Sequence, residues 1–210
     1  MSGSGNVQAW KPVAILFIGF LLGAALMGVE MAAIRLMTPY FGSAIETWAC
    51  MIATVMLSMM AGYYLGGRVA DRRPRSGVLG GVVLAAGAFV LAVPFFAAGL
   101  LDWMLQNLGY DPPAVLAASV ALLFLPMMLL SFFSPFAVRL LLADAQHGGR
   151  VAGLVYSITT IGNVAGTLGA PLWLMRIFGT RDIMLGFAAV VVLCGLALMA
   201  LRMRARVDGG

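Results

Sequence analysis

Six stretches of this chain run for 17 residues or more without a charged side chain: 13–29, 47–67, 76–101, 112–138, 151–175 and 183–201. A helix needs about 20 apolar residues to cross a hydrocarbon core of ~30 Å, because each residue advances it by ~1.5 Å. Six such segments in 210 residues leave short loops and two tails, with no stretch long enough for a soluble catalytic domain. Composition agrees: 62% of the residues are hydrophobic and 10% charged, against roughly 25% charged in an ordinary soluble domain. The expected fold is therefore all-α, a polytopic membrane bundle of six transmembrane helices. Its parts are a tail over 1–12, a transmembrane domain over 13–202 and a basic tail over 203–210.

The same arithmetic removes several classes of function. Cys50 and Cys194 both fall inside apolar spans and read as small buried residues, so no disulfide framework is expected. The one histidine, His147, has no Cys/His cluster around it, so no metal site and no cofactor are expected. A net charge of +5 could suggest nucleic acid, but the basic residues sit at membrane borders, not in a patch beside aromatic side chains. The first apolar stretch is too long for the h-region of a cleavable signal, and no small-residue cleavage site follows it.

Orientation follows from where Lys and Arg fall, since cytoplasmic loops collect positive charge. With a cytoplasmic N-terminus, Lys11, Arg68, Arg72, Arg73, Arg75, Arg139, Arg150, Arg202, Arg204 and Arg206 all face the cytoplasm, ten of the 13 basic residues. Glu46, Asp102, Asp111 and Asp182 then gather outside with Arg35, Arg176 and Arg181. Both termini are read as cytoplasmic, in a multi-pass protein of the inner (cytoplasmic) membrane. The connection 101–112, with Trp103 and Tyr110 suited to an interfacial belt, reads as a short helix lying on the outer surface. Pro126 and Pro135 predict a kink or break in the fourth helix.

Lipid gives helices no hydrophobic reason to associate, so small residues that admit close backbone approach become the contact points. Gly19 and Gly23, Gly62 and Gly66, and Gly162 and Gly166 with Ala165 and Gly169 supply that spacing in helices 1, 2 and 5. Two polar stripes accompany them. Tyr156, Thr160, Asn163 and Thr167 share one face of helix 5, with Asn163 ~18 Å into the span. Thr47, Cys50, Thr54, Ser58 and Gly62 share a face of helix 2. Two readings stand open: hydrogen bonding between helices, or a polar cavity between helices 2 and 5, which would be counterparts in a three-plus-three inverted repeat.

Charges within the bilayer are costly and mark function by default. Glu30 lies about one to two turns inside the outer end of helix 1, as either half of a structural salt bridge or a binding or proton-linked acid. Arg35 is ~140° around the same helix from it, so the two are not an i,i+4 pair; each meets another element, or Arg35 snorkels outward. Glu46 suits the N-terminus of helix 2, where the dipole favours an anion.

GYYLGGRVADRRPR (62–75) resembles the glycine–acid–arginine loop between helices 2 and 3 of major facilitator transporters. That likeness implies a conformational latch of Arg68, Asp71 and Arg72; a positive-inside anchor with one acid is the alternative. Adding GVEMAAIRLMTPYFGSAIETW (28–48), SPFAVRLL (134–141) and GRVAGLVYSITTIGNVAGTLGAPLWLMRIFGTR (149–181), nearly the whole chain resembles the transmembrane domain of membrane-bound spermidine synthase-like proteins. These are fused major-facilitator/spermidine synthases. By that resemblance Glu30, Arg35, Tyr40, Gly42, Asp71, Arg139, Tyr156, Thr160, Gly162 and Gly166 match motif positions. It implies a bundle like half of a major facilitator. The family's soluble aminopropyltransferase domain has no counterpart here, and neither has a glycine-rich nucleotide fingerprint, so its catalytic residues do not carry over.

The resulting expectation is a non-catalytic membrane subunit that anchors or serves a separate soluble synthase-like partner at the cytoplasmic face. It could also bind a small amine through Glu30, Arg35, Tyr156, Thr160 and Asn163. A half-size transporter working as a homo-oligomer, and a scaffold or assembly subunit of a larger membrane complex, are the alternatives. No nucleophile–base pair points to an enzyme acting inside the bilayer.

Overall fold

The computed structural model describes residues 6–142 and 148–204. His147, Arg206 and most of the 203–210 tail lie outside the described residues. The described chain is helical throughout and forms six helices long and apolar enough to span a membrane. They are α1 (Asn6–Phe41), α2 (Ile45–Arg72), α3 (Ser76–Leu108), α4 (Pro112–Leu141), α5 (Gly148–Ile177) and α6 (Thr180–Leu201). Six consecutive spans alternate direction, so Arg68, Arg72, Arg73, Arg75, Arg139, Arg150, Arg202 and Arg204 share one end of the bundle. Arg35, Arg176 and Arg181 share the other.

Helix α1 starts at Asn6, so residues 6–12, read as tail from the sequence, are already helical. The connection 101–112 is also different from the expected surface helix. Residues 101–108 continue α3 to Leu108, where Gly109 ends it in a positive-φ conformation (φ 78°), with its N–H bonded to the Leu105 carbonyl. Trp103 and Tyr110 suit a membrane border equally well at the end of an extended span and on a separate interfacial helix.

Two helices are irregular, and proline explains both. In α4 a π-turn over Val120–Phe124 precedes Pro126, and a second break falls at Phe132, before Pro135. In α5 a π-turn over Ala170–Leu174 contains Pro171. A proline inside a helix has no N–H to donate and its ring crowds the carbonyl four residues back, so the local ladder shifts by one residue.

The pairing of helices is symmetric. α1 packs most extensively on α5 and α2 on α4, while α3 and α6 pack on each other; α6 also packs on α1, as α3 does on α4. Exchanging α1 with α4, α2 with α5 and α3 with α6 leaves this pattern unchanged.

Glycine makes the two equivalent contacts. A Cβ at Gly162 or Gly166 of α5 would collide with the backbone carbonyls of Phe20 and Ala24 on α1. On α2, a Cβ at Gly62 would collide with the Met128 carbonyl, and one at Gly66 would lie 2.8 Å from Phe132 Cα on α4. A Cβ at Gly23 would likewise meet the Thr159 carbonyl of α5, and one at Gly19 the Phe133 ring. A Cβ at Gly169, also spaced for packing, has nothing within 4 Å and makes no such contact. The outer faces of α2 and α5 carry exposed Ile52, Met56, Met60, Ile161, Val164 and Leu168, as a lipid-facing surface should.

Candidate functional site

Between α1, α2, α4 and α5 lies a small polar cavity of about 40 Å³. It is lined by Leu22, Gly23 and Leu26 of α1, Met59 and Tyr63 of α2, Leu130, Ser131, Phe133 and Ser134 of α4, and Tyr156, Thr159, Thr160 and Asn163 of α5. Its volume suits one to a few water-sized groups. A larger groove of about 440 Å³, at the opposite end between Leu174 and Val190, is lined almost wholly by apolar side chains.

The cavity walls divide into polar groups already engaged and groups still available. Ser131 donates to the Met127 carbonyl at 2.7 Å, and Thr159 to that of Val155. Asn163 serves as a clamp. Its amide nitrogen, oriented by its neighbours, donates to the Gly23 carbonyl at 3.1 Å and the Thr159 carbonyl at 3.3 Å, tying α5 to α1. The hydroxyls of Tyr63, Ser134, Tyr156 and Thr160 make no hydrogen bond among the described residues. The cavity thus offers neutral donors and acceptors and no charge.

Tyr63 and Tyr156 line it on the side of the arginine-rich end. Their rings meet edge to face, with centroids 6.4 Å apart and planes at 85°, a favourable aromatic geometry. On the far side of Tyr156 a recess of about 270 Å³ opens, lined by Gly67, Ala70, Asp71, Pro135, Val138, Arg139, Leu142, Ala152 and Tyr156. Tyr156 is therefore shared by cavity and recess.

In the recess, Arg139 Nε of α4 lies 3.9 Å from Asp71 Oδ1 of α2. The pair is loose: Asp71 is mostly exposed, and the buried Arg139 Nε has no hydrogen-bond partner among the described residues. An exposed pair of this kind contributes about 0–1 kcal/mol. Of the residues grouped as a latch, Asp71 does bridge two helices, but through Arg139. Arg68 stacks over Tyr64 of its own helix at 4.7 Å, and Arg72 is exposed.

The five residues expected to bind substrate are distributed over three places. Tyr156, Thr160 and Asn163 come together in the cavity wall. Glu30 is not in that wall, yet it is buried (5% exposed) and continues the Gly23–Leu26 stripe of α1 at i+7 and i+4, about 6 Å beyond Leu26. It has no hydrogen-bond or ion-pair partner among the described residues. Arg35 is exposed and points elsewhere: its Nη1 donates to the Met175 carbonyl at 2.8 Å. That bond satisfies a carbonyl left free where α5 breaks after its π-turn.

The α2 stripe also resolves. Thr47, Thr54 and Ser58 are buried, and each hydroxyl donates to a backbone carbonyl: Phe41 (3.3 Å), Cys50 (2.8 Å) and Thr54 (2.6 Å). This face packs on α4, and the cavity is lined from α2 by Met59 and Tyr63 instead. Tyr63, Ser131, Ser134 and Thr159 were not singled out in the sequence. The i,i+4 spacing of Met59 with Tyr63 and of Leu130 with Ser134 was the available signal. Glu46 lies in the first turn of α2, with Ala44 at the N-cap.

No metal-ligating group of three or more His, Cys, Asp or Glu residues occurs among the described residues. No protein-family profile matches the chain, and no curated protein or solved structure is significantly similar to it.

Proposed function

We propose that this chain is a non-catalytic subunit of the inner membrane, with both termini cytoplasmic, that receives a small polar solute of the amine class and serves a separate soluble synthase-like partner. One observation carries the reading: a neutral, hydroxyl-lined cavity inside a lipid-spanning bundle, joined through Tyr156 to a recess at the arginine-rich end. Polar groups that fail to pair within a bilayer interior are costly, and their convergence marks a solute path. The cavity is water-sized. Solute entry therefore requires Tyr63 and Tyr156 to part, merging cavity and recess. Glu30, one turn beyond on the same α1 stripe, supplies the carboxylate that would meet an ammonium group.

Extraction in mild detergent followed by identification of bound proteins tests the partner. Equilibrium binding of a labelled polyamine tests the solute. The reading expects a soluble companion at one to one, and polyamine binding weakened at least about tenfold by Glu30→Gln. No companion together with no polyamine binding would overturn it.

A half-size transporter acting as a homo-oligomer is the second reading. The exchange symmetry of the helix pairs supports it, because inverted repeats place solute sites near the midplane at the repeat interface. So do the largely unpacked faces of α2 and α5, which a second copy could cover. Amine flux into proteoliposomes, lost in Glu30→Gln, would favour this reading over the first.

A further inference from the structure

At the arginine-rich end, two chain segments far apart in sequence are joined. Ser76, fully buried at the start of α3, donates its backbone N–H to the Met203 carbonyl at 2.9 Å. Its Oγ accepts the Met203 N–H at 2.8 Å. Arg75 and Arg204 thereby become antiparallel bridge partners.

Two costs accompany this arrangement. Arg202 must adopt left-handed backbone, φ 47° and ψ 38°, which a residue with a Cβ disfavours. Like charges set opposite one another across a strand pair repel. Arg72, Arg73, Arg75, Arg202 and Arg204 are all exposed here, and none is ion-paired among the described residues. The nearby acid, Asp71, faces Arg139. The N-terminus of α3, a helix of 33 residues, adds its positive dipole end to the same spot.

The site lies within a few residues of the ends of α2, α3 and α6, the depth of lipid headgroups. An anion there would offset both the arginine repulsion and the helix dipole. We propose that the Arg75–Arg204 pairing, clamped by Ser76, is a binding site for the phosphate of an anionic phospholipid. Depth in the bilayer argues for a headgroup over an acidic soluble protein. Arg68 and Arg150, at the same border but outside the pairing, do not belong to it.

The test uses the full chain, delipidated and then offered equal phosphatidylglycerol and phosphatidylcholine, with retained lipid read by native mass spectrometry. Wild type retains phosphatidylglycerol with a preference of about tenfold or more, and Arg75→Gln with Arg204→Gln removes most of it. Ser76→Ala keeps all five charges but releases the clamp, and is expected to lower the preference as well. The pair Arg68→Gln with Arg150→Gln is expected to leave it in place. Equal loss in that control pair would overturn the proposal in favour of general charge attraction, as would an unchanged preference in Ser76→Ala. Displacement of the lipid by millimolar inorganic phosphate, or retention of an acidic soluble protein in its place, would overturn the choice of occupant.

Discussion

Gly162→Ala reports directly on how α5 is held. The added methyl would lie against the α1 backbone, colliding with the Phe20 carbonyl oxygen and sitting 2.9 Å from Phe20 C and 3.1 Å from Ala24 N. None of these atoms belongs to a flexible side chain that could swing aside, so the two helices must separate. Overpacking of this type costs about 1–3 kcal/mol. Against it stands the gain from replacing glycine within a helix, about 0.5–1 kcal/mol. A net loss of about 1–2 kcal/mol is expected. Gly153→Ala supplies the matched control on the same helix, because a Cβ there meets nothing within 4 Å. That variant should be neutral or slightly stabilising. Thermal unfolding in detergent and in reconstituted bilayers, read by intrinsic fluorescence, measures both. Equal stability of the two variants would refute the claim that backbone contact at Gly162 joins α5 to α1.

Other outcomes follow from the same geometry. Asn163→Ala removes the clamp onto the Gly23 and Thr159 carbonyls and should cost about 1 kcal/mol, at roughly 0.6 kcal/mol per contact within a membrane, measured by the same unfolding assay. Arg35→Ala frees the Met175 carbonyl; hydrogen exchange should rise over 175–179 and stay unchanged in the cavity wall. Thr54→Val and Ser58→Ala remove hydroxyls bonded only to their own helix, so polyamine binding should be unaffected in both, whereas Thr160→Val should weaken it severalfold.

The fold was legible because lipid imposes a simple rule: uncharged runs of spanning length must be helices. Gly62, Gly66, Gly162 and Gly166 lie at close helix contacts, as small residues do wherever lipid gives no other drive. The same spacing at Ala165 and Gly169 leaves a Cβ at Gly169 with nothing within 4 Å, so spacing alone does not pick out the contact. The site was legible only in part. Periodicity put Tyr156, Thr160 and Asn163 on one face, but it could not say which polar stripe packs and which lines a cavity. The α2 stripe looks equivalent in sequence, yet its hydroxyls bond to backbone carbonyls against α4. Tyr63 escaped notice because a tyrosine near a span end also suits the lipid interface. Arg35 was grouped with Glu30 by proximity along the chain, whereas its partner, Met175, is a backbone carbonyl 140 residues away, left free because α5 ends at Ile177.

The account rests on the cavity communicating with the arginine-rich end through Tyr156. Cysteine accessibility tests this most directly. In a background lacking Cys50 and Cys194, Thr160→Cys and Ile161→Cys would sit side by side on α5 but about 100° apart around it, the first in the cavity wall and the second on the exposed apolar face. A water-soluble, membrane-impermeant thiol reagent should modify Thr160→Cys when applied from the arginine-rich side and not from the other, and should leave Ile161→Cys unmodified from both. Thr160→Cys as inert as Ile161→Cys, or reactive only from the opposite side, would contradict communication between the cavity and the arginine-rich end.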